Sequence, residues 1–198
     1  MKDKIGLACM ILGLLLLAAA TALLGYNIWD NIRAGNSAEL VLEQLEKTAD
    51  AGEAQAEETD REDTAMDTVE IDGYAYIGTL TIPALDLELP VMSQWSYAGL
   101  KIAPGRYAGS VWSDDLVICG HNYTRHFGNL KYLNSGDTLY FTDVNGNVFT
   151  YEVEEILTLQ CDAVEEMLSE EAGEWDLTLF TCTIGGRTRV TVRCSQID

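Results

Sequence analysis

Basic side chains are scarce in this chain: Lys and Arg number 12 against 32 Asp and Glu, a formal net charge of −20. A nucleic-acid binder needs a basic patch or stripe, so that class of partner is excluded. Histidine is scarcer still, with two residues, His121 and His126. Neither a C-x-x-C nor an H-x-x-x-H spacing occurs, which leaves no zinc pattern. Asp86, Glu88, Asp114 and Asp115 are acidic but fit no calcium motif, so no cofactor and no metal site are expected. Cysteines number five, an odd count that leaves at least one thiol outside any disulfide.

Charge is missing altogether from 5–28, where Asn27 is the one strongly polar residue. Twenty-four such residues exceed the roughly 20 needed to cross a bilayer core. Secretory signals have shorter apolar cores of about 7–15 residues. Ala18-Ala19-Ala20 and Ala20-Thr21-Ala22 mimic cleavage sites, but the length of the run favours an uncleaved anchor. Lys2 and Lys4 precede the span and a mostly acidic segment follows it, which keeps residues 1–4 in the cytoplasm and the rest outside. Residues 30–72 then carry 14 acidic and 3 basic side chains. Leu40, Val41, Leu42 and Leu45 in 36–50 have helical spacing and read as a short amphipathic continuation. Residues 52–72 are acidic with almost no large apolar side chains, a composition that cannot offset its own ordering entropy. The stretch 29–72 is therefore expected to be a stalk and linker, with a folded domain over 73–198.

That domain reads as strand after strand. Tyr76–Ile82 alternates, Pro83 interrupts, and Leu85–Met92 resumes the alternation. The stretch 95–109 is loop-like, and 115–120 is a short buried strand ending before His121. Thr138–Thr142 and 147–158 flank Val144-Asn145-Gly146, a hairpin signal. Val164, Met167 and Leu168 predict one short helix over 162–172. Many short strands with tight turns predict a mostly β, closed or nearly closed barrel with one or two short helices.

The densest cluster of chemistry lies in 176–194, D-L-T-L-F-T-C-T-I-G-G-R-T-R-V-T-V-R-C. Leu177–Thr181 is an apolar β-forming run that delivers Cys182 at its end, and Arg187–Cys194 alternates as a returning strand. With Gly185-Gly186 as a two-residue turn, Ile184 pairs with Arg187, Thr183 with Thr188 and Cys182 with Arg189. Directly opposed residues share a face, with Cβ atoms about 4.5–5.5 Å apart. Arg193 falls opposite Thr178, deeper along the strand, and Arg187 is only diagonal to the thiol. A transferase using cysteine needs a thiolate, a proton donor for the leaving group and a partner for the oxyanion. Cys182, His121 and an arginine supply those three roles. Cys119 shares strand parity with His121, and no role is assigned to it, to Cys161 or to Cys194. His126 fits a surface histidine capping a loop.

T-L-F-T-C followed by an arginine resembles the T-L-x-T-C…R signature of sortases, the membrane-anchored cysteine transpeptidases of Gram-positive bacteria. Residues 116–137, L-V-I-C-G-H-N-Y-T-R-H-F-G-N-L-K-Y-L-N-S-G-D, are similar to that family's G-H-N segment with its F-x-x-L…G-D continuation. The resemblance covers roughly 70–198 and implies an eight-stranded sortase barrel. It assigns the catalytic roles to His121, Cys182 and Arg189, although Arg189 follows the cysteine more closely than in many sortases. Thr181 and Asn122 beside them are expected to bind substrate.

The implied activity is cleavage of an L-P-x-T-G-like C-terminal sorting signal through a thioester, with transfer of the protein to an amine. Partners would be surface proteins bearing such signals, a cell-wall precursor or protein amine, and the membrane. The absence of a lid motif and of a second span favours a wall-anchoring member of class B or D type. The alternatives are a peptidoglycan-directed cysteine peptidase or L,D-transpeptidase, whose G-C-x-R or helix-start cysteine is missing, and a non-catalytic tethered binding barrel.

Overall fold

The computed structural model describes residues 2–51, 66–168 and 175–197. The chain divides into two compact units, Met1–Arg33 and Ala34–Asp198. A single helix, α1 (Lys2–Ala51), supplies the described part of the first unit and the start of the second. Within the first unit residues 5–29 are all exposed. An apolar helix surface of that extent is long enough to cross a membrane.

The second unit is built on nine strands: β1 (Val69–Ile71), β2 (Tyr74–Ile82), β3 (Leu87–Met92), β4 (Gly105–Ala108), β5 (Leu116–Gly120), β6 (Thr138–Asp143), β7 (Val148–Gln160), β8 (Leu177–Cys182) and β9 (Thr188–Ile197). They join in the order β1-β2-β3-β4-β5-β8-β9-β7-β6, and β6 pairs back onto β2. That last pairing closes eight strands into a barrel and leaves β1 appended to β2, so the expected eight-stranded barrel is the observed one. Closure matters because an open sheet edge exposes unpaired backbone groups. Period-two patterning fills the interior: along β6, Leu139, Phe141 and Asp143 are buried while their neighbours are half-exposed. Ile77, Leu80, Ile118, Phe127, Leu179 and Val192 are among the side chains packed in the same core. Each such burial is worth about 1.5–3 kcal/mol.

Two stretches depart from the sequence reading. The loop-like 95–109 contains β4, which bonds in parallel to β3 at Met92–Gly105 and antiparallel to β5. Its four residues lie between Pro104 and Gly109, too short a run for periodicity to register. The helix expected over 162–172 is one 3₁₀ turn, Glu165–Met167, among the described residues. Within 29–72 the helix continues through 36–50, as the spacing there implied, to Ala51, and β1 follows at Val69–Ile71; residues 52–65 lie outside the described ones. Ala34, Ala38 and Val41 are buried. Ala38 joins the barrel core, and Val41 packs with Ile71, Tyr76 and Met92.

Candidate active site

The site is set by three adjacent strands. β5 and β8 run in parallel with Gly120 level with Thr181. One residue further along each chain come His121, just past the end of β5, and Cys182, the last residue of β8. β9 lies on the other side of β8, and Cys182 is the direct antiparallel partner of Arg189. His121, Cys182 and Arg189 thus come from three adjacent chain segments, and all three line one cleft of about 190 Å³. Cys182 and His121 are half-buried, accessible to a peptide yet partly screened from water.

The hairpin that pairs Cys182 with Arg189 differs in its tip from a two-residue turn. Thr183 N–H donates to Thr188 O at 3.0 Å, and Gly186 N–H donates to Thr183 O at 2.9 Å. Ile184 and Gly185 therefore occupy the corner, Ile184 is 93% exposed, and Gly185 and Gly186 both have positive φ, 91° and 71°. Glycine tolerates that region without steric cost. The turn is wider than expected, but Thr183 still faces Thr188, so the register below it is unchanged.

The other arginines have different surroundings. Arg193 lies opposite Thr178. It donates to Glu166 O at 2.7 Å, pairs with Glu155 at 3.4 Å and covers the Trp175 ring at 5.2 Å. Arg187 flanks the turn, where its carbonyl accepts from Cys161 N–H at 3.2 Å. Arg189 rests one arm on Gly186 O at 3.5 Å.

Thr181 lines the cleft but is 3% exposed, and its hydroxyl donates to Gly120 O at 2.8 Å. The hydroxyl ties the histidine-bearing strand to the cysteine-bearing one. Asn122 is exposed and is not among the cleft-lining residues. His126, read from sequence as a surface histidine, is fully buried. Its Nε2–H donates to Ala34 O at 3.3 Å, a partner that a separation of 92 positions hides from sequence. Cys119 lines the cleft as its parity implied, with 4% exposure and its thiol donating to Gly105 O at 3.5 Å. Burial, and secondarily the neighbouring Cys182, pushes its pKa up to about 12, so it stays a neutral thiol near neutral pH. Cys161 is exposed at the cleft rim. Among the described residues, no three His, Cys, Asp or Glu side chains are grouped to hold a metal.

Sequence reasoning missed the aromatic wall. Trp95, Tyr97, Tyr107 and Phe180 line the cleft. Trp95 stacks on Tyr107 at 5.8 Å and meets the edge of Tyr97 at 5.4 Å, and Tyr107 meets Phe180 at 5.2 Å. The loop carrying Trp95 is held by Arg106, whose Nε donates to Ser93 O at 2.9 Å. Gly105 permits the close approach, since a Cβ there would lie 2.9 Å from the Trp95 Cα. Three aromatics within the loop-like 95–109 were the available signal.

Comparison with known proteins agrees with this architecture. A sortase domain family model matches residues 80–197. Sortase A of Bacillus anthracis is 27% identical over 117 residues, which are 57% of this chain and 54% of that one. The match therefore spans about half the length of that curated relative. The crystal structure of sortase C1 from Streptococcus suis aligns with TM-score 0.55 at 27% identity, covering 62% of this chain and 73% of the other. A lid mutant of sortase A from Corynebacterium diphtheriae aligns with TM-score 0.55 at 26% identity, covering 62% and 70%.

Proposed function

The chain belongs to the sortase family, and on that premise we propose that it is a membrane-anchored transpeptidase in which Cys182 is the nucleophile, His121 the proton donor and Arg189 the oxyanion partner. The observation that carries this reading is the meeting of those three side chains in one cleft. The Cys182 thiolate attacks the carbonyl carbon of a Thr-Gly-type bond in an L-P-x-T-G-like sorting signal. Negative charge moves to the carbonyl oxygen, where the donor fork of Arg189 stabilises it. Collapse expels the amine, which takes a proton from His121, and leaves a thioester on Cys182. An amine from a cell-wall precursor or another protein attacks the thioester, returns a proton to His121 and releases the thiolate. No cofactor enters the scheme.

Thr181 is assigned here to holding the two strands together, and Asn122 to contact with substrate entering from outside the cleft. The aromatic and aliphatic lining suits an uncharged, apolar peptide segment. Lys2 and Lys4 ahead of the span support a barrel on the outer side of the membrane, the side on which sorting-signal proteins and acceptor amines would be met.

The test is cleavage of a library of L-P-x-T-G-like peptides by the full chain, with and without an acceptor amine. Cleavage that depends on Cys182, with product joined to the amine, supports the reading. Failure to cleave any member, together with no labelling of Cys182 by a thiol-directed peptide probe, would overturn it in favour of a binding barrel.

A further inference from the structure

His121 stands one residue beyond the end of β5, where the sheet no longer holds it from both sides. Its backbone is fixed by a compact loop instead: Phe127 N–H donates to His121 O at 3.1 Å, and both His126 N–H and Gly128 N–H donate to Tyr123 O, at 2.9 and 2.8 Å. Gly120 allows the Phe127 ring to close on this loop, since a Cβ there would lie 2.6 Å from the ring.

The side chains form a second line of support. The His121 ring lies against Tyr123, with centroids 5.0 Å apart and a 49° tilt, and Tyr123 meets His126 edge-on at 5.4 Å. His126 is wholly buried and donates to the backbone oxygen of Ala34. Burying an imidazole is costly unless it is hydrogen-bonded, and an apolar side chain would fill the same space. What histidine adds is a directed bond to the helix. The helix in turn sits close because Ala34 and Ala38 are small and buried, and Arg125, next to His126, bonds to Glu39 and Asn36 on it.

We propose that Tyr123 and His126 are positioning residues that anchor the proton donor His121 to the helix segment starting at Ala34. The consequence, resting on His121 as the acid, is specific to the leaving group. An amide leaving group needs a proton placed on its nitrogen, whereas a thiophenolate leaves without one. Loosening the line of rings therefore impairs amide cleavage and spares thioester cleavage.

The experiment measures single-turnover acylation of the full chain with the fastest-cleaved library peptide and with the thiophenyl thioester of the same acyl segment. Tyr123→Ala and Ala34→Leu are expected to slow amide cleavage roughly ten- to hundredfold and to leave thiophenol release unchanged, while Tyr123→Phe, which keeps the ring, recovers the amide rate. Equal losses on both substrates would mark a merely structural role and overturn the proposal, as would an unchanged amide rate in Tyr123→Ala. His121→Ala is the reference. If it cleaves the amide as fast as wild type, the acid assignment itself has failed. If it is slow while the Tyr123 and Ala34 variants are fast, only the anchoring has failed. Hydrogen exchange at the Phe127 N–H gives a readout independent of turnover: it is expected to accelerate in Ala34→Leu, and unchanged exchange would overturn the link to the helix.

Discussion

Cys182 and Arg189 are direct cross-strand partners at the top of the β8–β9 hairpin. Directly opposed residues share a face, and both side chains line the same cleft.

The first prediction follows from that pairing. Arg189→Ala should lower peptide turnover about a hundredfold or more, the scale of losing one oxyanion donor. Arg189→Lys should recover little, because an ammonium lacks the planar fork. Arg193→Ala should keep the chemistry while costing on the order of 1 kcal/mol of stability through its lost ring and backbone contacts. Turnover and urea midpoints of the two variants, measured together, decide it; near-wild-type turnover in Arg189→Ala would defeat the assignment.

The Thr181 hydroxyl bridges to Gly120 O between the strands that end in histidine and thiol. Thr181→Val keeps the shape and removes the donor, leaving a carbonyl bond unmade at a cost of about 1–3 kcal/mol. Stability by denaturant titration should fall and KM should stay constant. A raised KM at unchanged stability would return Thr181 to direct substrate binding.

Cys119 separates from Cys182 by environment. Burial raises its thiol from the ordinary 9.0 to about 12, so the folded state keeps a proton that the unfolded chain releases above pH 9. Stability from this group is complete below that value and is lost as pH climbs toward 12. Urea midpoints should therefore fall between about pH 9 and about pH 11, and less steeply in Cys119→Ala. At neutral pH a brief treatment with iodoacetamide should modify Cys182 and spare Cys119. Cys182→Ala should abolish acyl-enzyme formation and leave the barrel folded, whereas Cys119→Ala should keep most activity.

The membrane assignment has its own check. Protease added outside intact cells should cut within 52–72 and yield a barrel-sized fragment on a denaturing gel, the acidic composition of that stretch offering little apolar surface to bury. Soluble protein starting near Ala22 or Leu23 would show a cleaved signal instead of an anchor.

What the sequence alone determined is what depends on neighbours along the chain. A run of 24 uncharged residues marks a candidate span from its own length. The pairing of Cys182 with Arg189 follows from counting back from one turn, and it survives a turn wider than the two-residue one because Thr183 still meets Thr188. Tertiary structure decided the contacts made by residues far apart. Gly120 and Thr181 meet at a separation of 61 residues, and only the tertiary strand order sets β5 beside β8, which brings His121 and Cys182 into one cleft. His126 reaches Ala34 at a separation of 92 residues, so nothing in its local loop distinguishes a buried anchor from a surface cap. The same holds for Trp95, Tyr97 and Tyr107, whose wall exists because β4 folds between β3 and β5. Periodicity and turn chemistry report on a few residues at a time; strand order is settled by burying one shared core, and that is a property of the whole barrel.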